Sequence, residues 1–234
     1  QDFAGSGGND TVNVGTFNVT GTLSGAGQTG ADVLEMDDGA SIASAQSFSN
    51  FETVNLLAGA GVTMTEAQHE GFGTFSAPGT VGNNNGETIT IASAADGQMT
   101  GNGNIETYVL QDVFTGGGTG FTLGAAAQNV SAGLGTQIVT AGMDPTGSID
   151  LGGGNLDELV LTGSRDLTGA TLSGIEVLSV ANGSTTTLTV GQHNGFNTIN
   201  ADGPETFELE GGGSLAGNAN VEIYDASAAG LNNS

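Results

Sequence analysis

The chain has 234 residues, with 43 glycines, 3 prolines, no cysteine and no tryptophan, and only 5% of its residues are aromatic. One Lys or Arg against 25 Asp and Glu gives a formal charge of −24, which excludes phosphate-rich nucleic acid and anionic membrane surfaces as natural partners. Disulfides cannot hold the fold, no apolar run approaches a membrane span, and too few large side chains are present for a thick globular core.

Glycine and aspartate clusters open the chain and recur along it. GSGGNDTVN starts at Gly5, GQTGADVLE at Gly27 and GGGNLDELV at Gly152, each ending in a short apolar alternation. Glycines allow the positive φ of a tight turn, and an aspartate there either caps its own backbone or supplies oxygen to a hard cation. Asp10, Asp32 and Asp157 are therefore candidate Ca²⁺ ligands. The neighbouring Asp37 and Asp38 read as a further calcium ligand pair or a solvated corner, since strand neighbours face opposite ways and only a turn would bring the two carboxylates together.

A second element is a glutamate directly before a strand. It appears as NFETVNL at Asn50, NIETYVL at Asn104, GIEVLSV at Gly174 and NVEIYDA at Asn220. Alternation predicts that Glu52 shares a face with Val54 and Leu56, and Glu176 with Leu178 and Val180. An inward carboxylate needs a partner. With Arg165 the sole permanent cation, the options for Glu52, Glu106, Glu176 and Glu222 are backbone N–H groups of a neighbouring coil, which we favour, or Ca²⁺.

The chain is also similar to itself. Phe51–Gly79 aligns without a gap on Ile175–Gly203, placing Glu52 on Glu176, Thr63 on Thr187, Gln68 on Gln192, His69 on His193 and Phe72 on Phe196. Beyond it, ETITI from Glu87 matches ETFEL from Glu205, and GNGNIETY from Gly101 matches GNANVEIY from Gly217. The pseudo-repeats span about 30–110 and 155–226, with a leading arm 1–29 and a connector 111–154 that echoes them, all within one repetitive domain 1–234. Strand-period alternation between Gly, Asn and Asp punctuation predicts an all-β, β-solenoid or β-helix-like stack of short strands. EAQHEGF and the Ala-rich GAAAQN have the make-up of a helical turn, but the Gly and Thr around them favour corners, and no helix longer than a turn or two is expected. The duplicated His69 and His193 read as fold elements, Tyr108 and Tyr224 as core, and no residue reads as catalytic.

The aspartate turns resemble the GGxGxD nonapeptide of RTX proteins. The glutamate elements resemble the GVETVNL-like segments of bacterial S-layer proteins and large type I-secreted surface proteins. That resemblance implies an extracellular, calcium-binding, self-assembling structural protein whose partners are copies of itself and, secondarily, cell-surface polysaccharide. The composition adds a reason for calcium: carboxylates that side-chain cations cannot neutralise favour divalent ions. The alternatives are an adhesin or carbohydrate-binding repeat and, on carboxylate abundance alone, a β-helical polysaccharide lyase or hydrolase.

Overall fold

The computed structural model describes residues 2–25, 27, 30–77, 86–92, 99–111, 120–154 and 156–228. These wind into a β-solenoid of about nine turns, with every strand pair parallel and two short helices. The described residues of the leading arm and the connector are coils of the same stack as the pseudo-repeats.

One six-stranded sheet runs Gly61–Met64, Thr88–Ile91, Thr107–Leu110, Asn129–Ala132, Ser148–Asp150 and Thr171–Ser173. The bridges Asn18 to Ser41 to Thr63 extend this ladder toward the first coil. A second six-stranded sheet runs from Met99–Thr100 through Ile138–Ala141 and Val177–Val180 to Thr198–Asn200. Two four-stranded sheets, from Thr11–Asn13 to Thr74–Ser76 and from Arg165–Asp166 to Ile223–Asp225, and one three-stranded sheet complete the wall.

Parallel in-register stacking makes each coil repeat the inward residue of the last. Val62, Ile89, Tyr108, Val130, Ile149 and Leu172 form one such column, and Phe121, Val139, Leu159, Leu178 and Ile199 another. All but the partly buried Leu172 are fully enclosed. At about 1.5–3 kcal/mol for each buried Leu, Ile or Phe, these columns dominate the cohesion of the stack. Coil corners are tight: a Cβ on Gly124 would lie 1.8 Å from the Gly101 carbonyl oxygen, and one on Gly25 would lie 1.9 Å from that of Asn50.

EAQHEGF, expected as a corner, is instead a helical turn, α1, over Glu66–Glu70, and its copy α2 covers Val190–Gly195. The physical reason is a capping box. Thr65 Oγ1 accepts from the Gln68 N–H at 3.2 Å while Gln68 Oε1 accepts from the Thr65 N–H at 2.8 Å; Thr189 and Gln192 repeat this at 3.1 and 2.8 Å. The glutamine amide then donates to the preceding coil, Gln68 Nε2 to the Ile42 carbonyl and Gln192 Nε2 to that of Leu167, both at 2.7 Å.

Candidate functional site: a stacked row of corner acids

The residue immediately before a strand is the chemically distinctive position of each coil. It is Asp10, Asp32 and Glu52 on three successive coils, Glu87, Glu106 and Gln128 on another three, and Gln137, Asp157 and Glu176 on three more. Its side chain reaches back one coil. Asp32 Oδ1 accepts the Asp10 N–H at 2.8 Å, and Glu52 Oε2 accepts the Asp32 N–H at 2.7 Å. Asp157 Oδ1 accepts the Gln137 N–H at 2.7 Å, Glu176 Oε2 that of Asp157 at 3.0 Å, and Glu106 Oε2 that of Glu87 at 3.2 Å.

The two motif classes separated in the sequence are thus one structural element. Asp32 and Glu52 occupy the same corner on consecutive coils, as do Asp157 and Glu176. Each ties down a backbone donor that the strand ladder leaves over at the corner. The expected backbone partner of Glu52 and Glu176 is present, but the expected inward direction of Glu52 is not. Val54 and Leu56 are buried, whereas Glu52 is exposed and bends back along the stack to reach Asp32. The alternation rule stops at the first strand residue, because the corner before it has turn geometry.

Asp32 and Asp157 are 1% and 0% exposed. Burial raises the Asp157 carboxyl above its usual range, and the neighbouring Glu176 charge adds to this. Glu106 is pushed up to about 7, by desolvation first and then by the adjacent Glu87 carboxyl. Glu87 Oε1 accepts from the Gly59 N–H at 3.2 Å, while its Oε2 and Glu106 Oε1 are buried without a hydrogen-bond partner.

The remaining candidates lie elsewhere. Asp10 is half-buried and caps its own turn, accepting from the Ser6 N–H at 2.7 Å, with Gly8 at φ 117° supplying the bend. Asp37 and Asp38 do lie on a turn, closed by Gly39 at φ 83°, but Asp38 Oδ1 is engaged by the Gly61 N–H of the next coil at 2.9 Å. Glu222 is exposed on the last described coil. Sequence reasoning passed over Glu87, Glu205, Gln128 and Gln137, all fully buried. The signal that finds them is position, one residue before a strand, rather than motif.

These corners fit N–H acceptance better than a calcium cage. Ca²⁺ takes six to eight oxygens, whereas backbone N–H groups point at the corner carboxylates, and no group of three or more His, Cys, Asp or Glu able to hold a metal occurs among the described residues. Further carboxylates line the outer faces of the strands. Glu35 is bridged by Asn13 at 3.1 Å and Asn55 at 3.5 Å, Glu208 by Thr187 at 3.1 Å, and Glu158 by the Ser179 hydroxyl. Arg165 offers them nothing, because its guanidinium donates to the carbonyls of Gly142 at 2.5 Å and Ser164 at 2.6 Å.

Two grooves flank the helices. One, of about 280 Å³, is lined by Glu176, Gln192 and Phe196; the other, of about 410 Å³, by His69, Glu70, Phe75 and Asn102. Each groove holds one carboxylate, and Glu176 already serves Asp157. His69 Nε2 meets Tyr108 OH at 2.9 Å, and the hydroxyl accepts the Asn102 N–H at 2.8 Å; His193, Tyr224 and Asn218 reproduce this at 3.0 and 2.8 Å. Desolvation lowers the His69 pKa to about 4.

No helix among the described residues is long and apolar enough to cross a membrane. Comparison with protein-family models, with curated proteins and with solved structures finds no match.

Proposed function

We propose that this chain is a non-catalytic structural subunit of an assembly outside the cell, a surface layer, sheath or matrix filament, in which calcium neutralises the outer carboxylates between subunits. The observation that carries this reading is where the polar chemistry goes. The corner acids bind backbone of the neighbouring coil, both histidines bind core or near-core tyrosines, and the one arginine binds carbonyls. That spends the fold's reactive groups on holding coils in register.

The outer faces keep a net charge that side chains cannot cancel, so subunits approach one another only with cations between them. Calcium fits this role through its preference for oxygen, acting on the outward-facing rows around the half-buried Glu35 and the exposed Glu208 rather than in the corners.

The test is sedimentation and negative-stain imaging of purified protein at matched ionic strength, with calcium and with EDTA. Ordered polymers in calcium that disperse in EDTA support the proposal. Protein that stays monomeric with an unchanged melting temperature in both overturns it.

A further inference from the structure

The two helical turns stand on the same backbone but not beside the same side chains. The gapless alignment extends upstream to pair the strand Ser47–Ser49 with the strand Thr171–Ser173. Asn50 and Gly174, which follow them, take the same left-handed conformation, with φ 59° and 62°. Thr65 and Thr189 close the same capping box. What differs is size: Phe48, Asn50, Phe51 and Ala67 of the first copy are Leu172, Gly174, Ile175 and Gly191 in the second.

In the first copy the space between strand and helix is filled from within. Phe48 packs on Phe51 with ring centroids 5.7 Å apart and on Phe72 at 5.1 Å. A Cβ built on Gly71 would lie 3.1 Å from Cε1 of the Phe48 ring. In the second copy a Cβ on Gly195, the counterpart of Gly71, meets nothing within 4 Å. The place of the ring is open there, and it belongs to the groove of about 280 Å³ lined by Leu172, Ile175, Glu176, Gly191, Gly195 and Phe196. A cavity of about 150 Å³ holds a benzene ring, so the groove accepts an aromatic side chain.

Charge changes in the opposite sense to size. Ser24, opposite Ser49 in the ladder of the first copy, is replaced in the second by the exposed Asp150 opposite Ser173, which lines the groove. Glu176 uses Oε2 to accept the Asp157 N–H at 3.0 Å, and no hydrogen bond among the described residues engages its other oxygen. Two carboxylates therefore border an apolar slot on a chain of formal charge −24. A copy of this chain has no cation to offer them, because Arg165 is its only Lys or Arg and donates to the Gly142 and Ser164 carbonyls.

We infer that this groove is a docking site for a different protein, entered by a segment that presents an aromatic side chain next to a Lys or Arg. The ring takes the place that Phe48 has in the first copy, against Phe196 and Gly195, and the cation lies by Glu176 and Asp150. A buried aromatic anchor supplies affinity, and opposite charge at the rim supplies orientation and fast association. The site lies on coils inside the stack, with the strands Thr206–Glu210 and Ile223–Asp225 still to follow. It does not depend on assembly of the chain with itself.

The test titrates the full chain with a blocked peptide, acetyl-Gly-Phe-Arg-Gly-amide, and reads the backbone amide shifts of Gly191 and Gly195 by NMR. The peptide should move both. Replacing its Phe by Ala should weaken binding about tenfold or more, as expected for one buried ring. Replacing its Arg by Gln should weaken binding about two- to fivefold, the range of an exposed ion pair, and added salt should act in the same direction. Leu172→Phe refills the slot from the strand and Gly195→Leu from the helix, and either variant, melting no lower than the parent, should lose the response. Because the two close the slot from opposite walls, a poorly folded variant leaves the other to decide, and the Ala peptide needs no variant. Equal binding of the Ala peptide, a response that survives in a folded plugged variant, or no movement of the two glycines overturns the inference. Movement of the same glycines by chitotriose with the peptide silent makes the groove a sugar site and also overturns it.

Discussion

His69 Nε2 and Tyr108 OH lie 2.9 Å apart in the interior of the stack, and the same bond recurs between His193 and Tyr224 at 3.0 Å. The tyrosine hydroxyl also receives a backbone N–H, from Asn102 or Asn218. One helix, one strand and one corner from different coils are thereby held at a single oxygen. Tyr108→Phe leaves the Asn102 donor and the His69 ring nitrogen without that partner in a buried site, and should cost about 1–3 kcal/mol. Tyr224→Phe should cost less, because water reaches the half-buried copy. Urea midpoints of the two variants check the order.

Neutral His69 is the buried form, so its folded pKa of about 4 lies below the unfolded value of 6.5. Its contribution is complete above pH 6.5 and is lost as pH falls toward 4, because the unfolded chain takes up the proton first. The drop over that window should approach roughly 3 kcal/mol, and His69→Gln should flatten it. Stability measured by denaturant at stepped pH decides this; an unchanged slope in the variant counts against it.

Glu106 carries the opposite sign. Its folded pKa is raised from 4.5 to about 7 by burial and by Glu87. The stabilisation is therefore complete below pH 4.5 and is lost as pH rises through 7. Glu106→Gln, which mimics the protonated acid, should stabilise the protein at pH 8 and have little effect at pH 4.

The corner acids act as acceptors for backbone N–H. Asp157→Ala strands the Gln137 N–H in a fully buried corner and should lose about 1–3 kcal/mol. Asp157→Asn keeps an acceptor oxygen and should be far milder. Calcium titrations of the Asn variant should match the parent, since the proposal places the ions on the outer faces. A lost calcium response would return the ion to the corner.

Coil spacing leaves no room at Gly124. Gly124→Ala drives a Cβ into the Gly101 carbonyl, and overpacking of this kind costs about 1–3 kcal/mol or more. Gly7→Ala, where an added Cβ meets nothing within 4 Å, should be near neutral. Thermal melts of the pair check the difference.

By itself the sequence determined the solenoid, the duplication and the inward apolar residues. Alternation of Val54 and Leu56 or of Ile89 and Ile91 is a local property of the strand, and the aligned histidines and tyrosines carry their equivalence in the letters. The T-x-x-Q of Thr65–Gln68 was also written there, and it specifies the two helical turns through local hydrogen bonds. Tertiary structure decided what the acids do. Asp10 and Asp32 belong to one motif class and Glu52 to another, 22 and 20 residues apart along the chain, and only winding of the chain places them on one corner. There the nearest unmatched groups are N–H donors of the adjacent coil, which a linear pattern cannot supply.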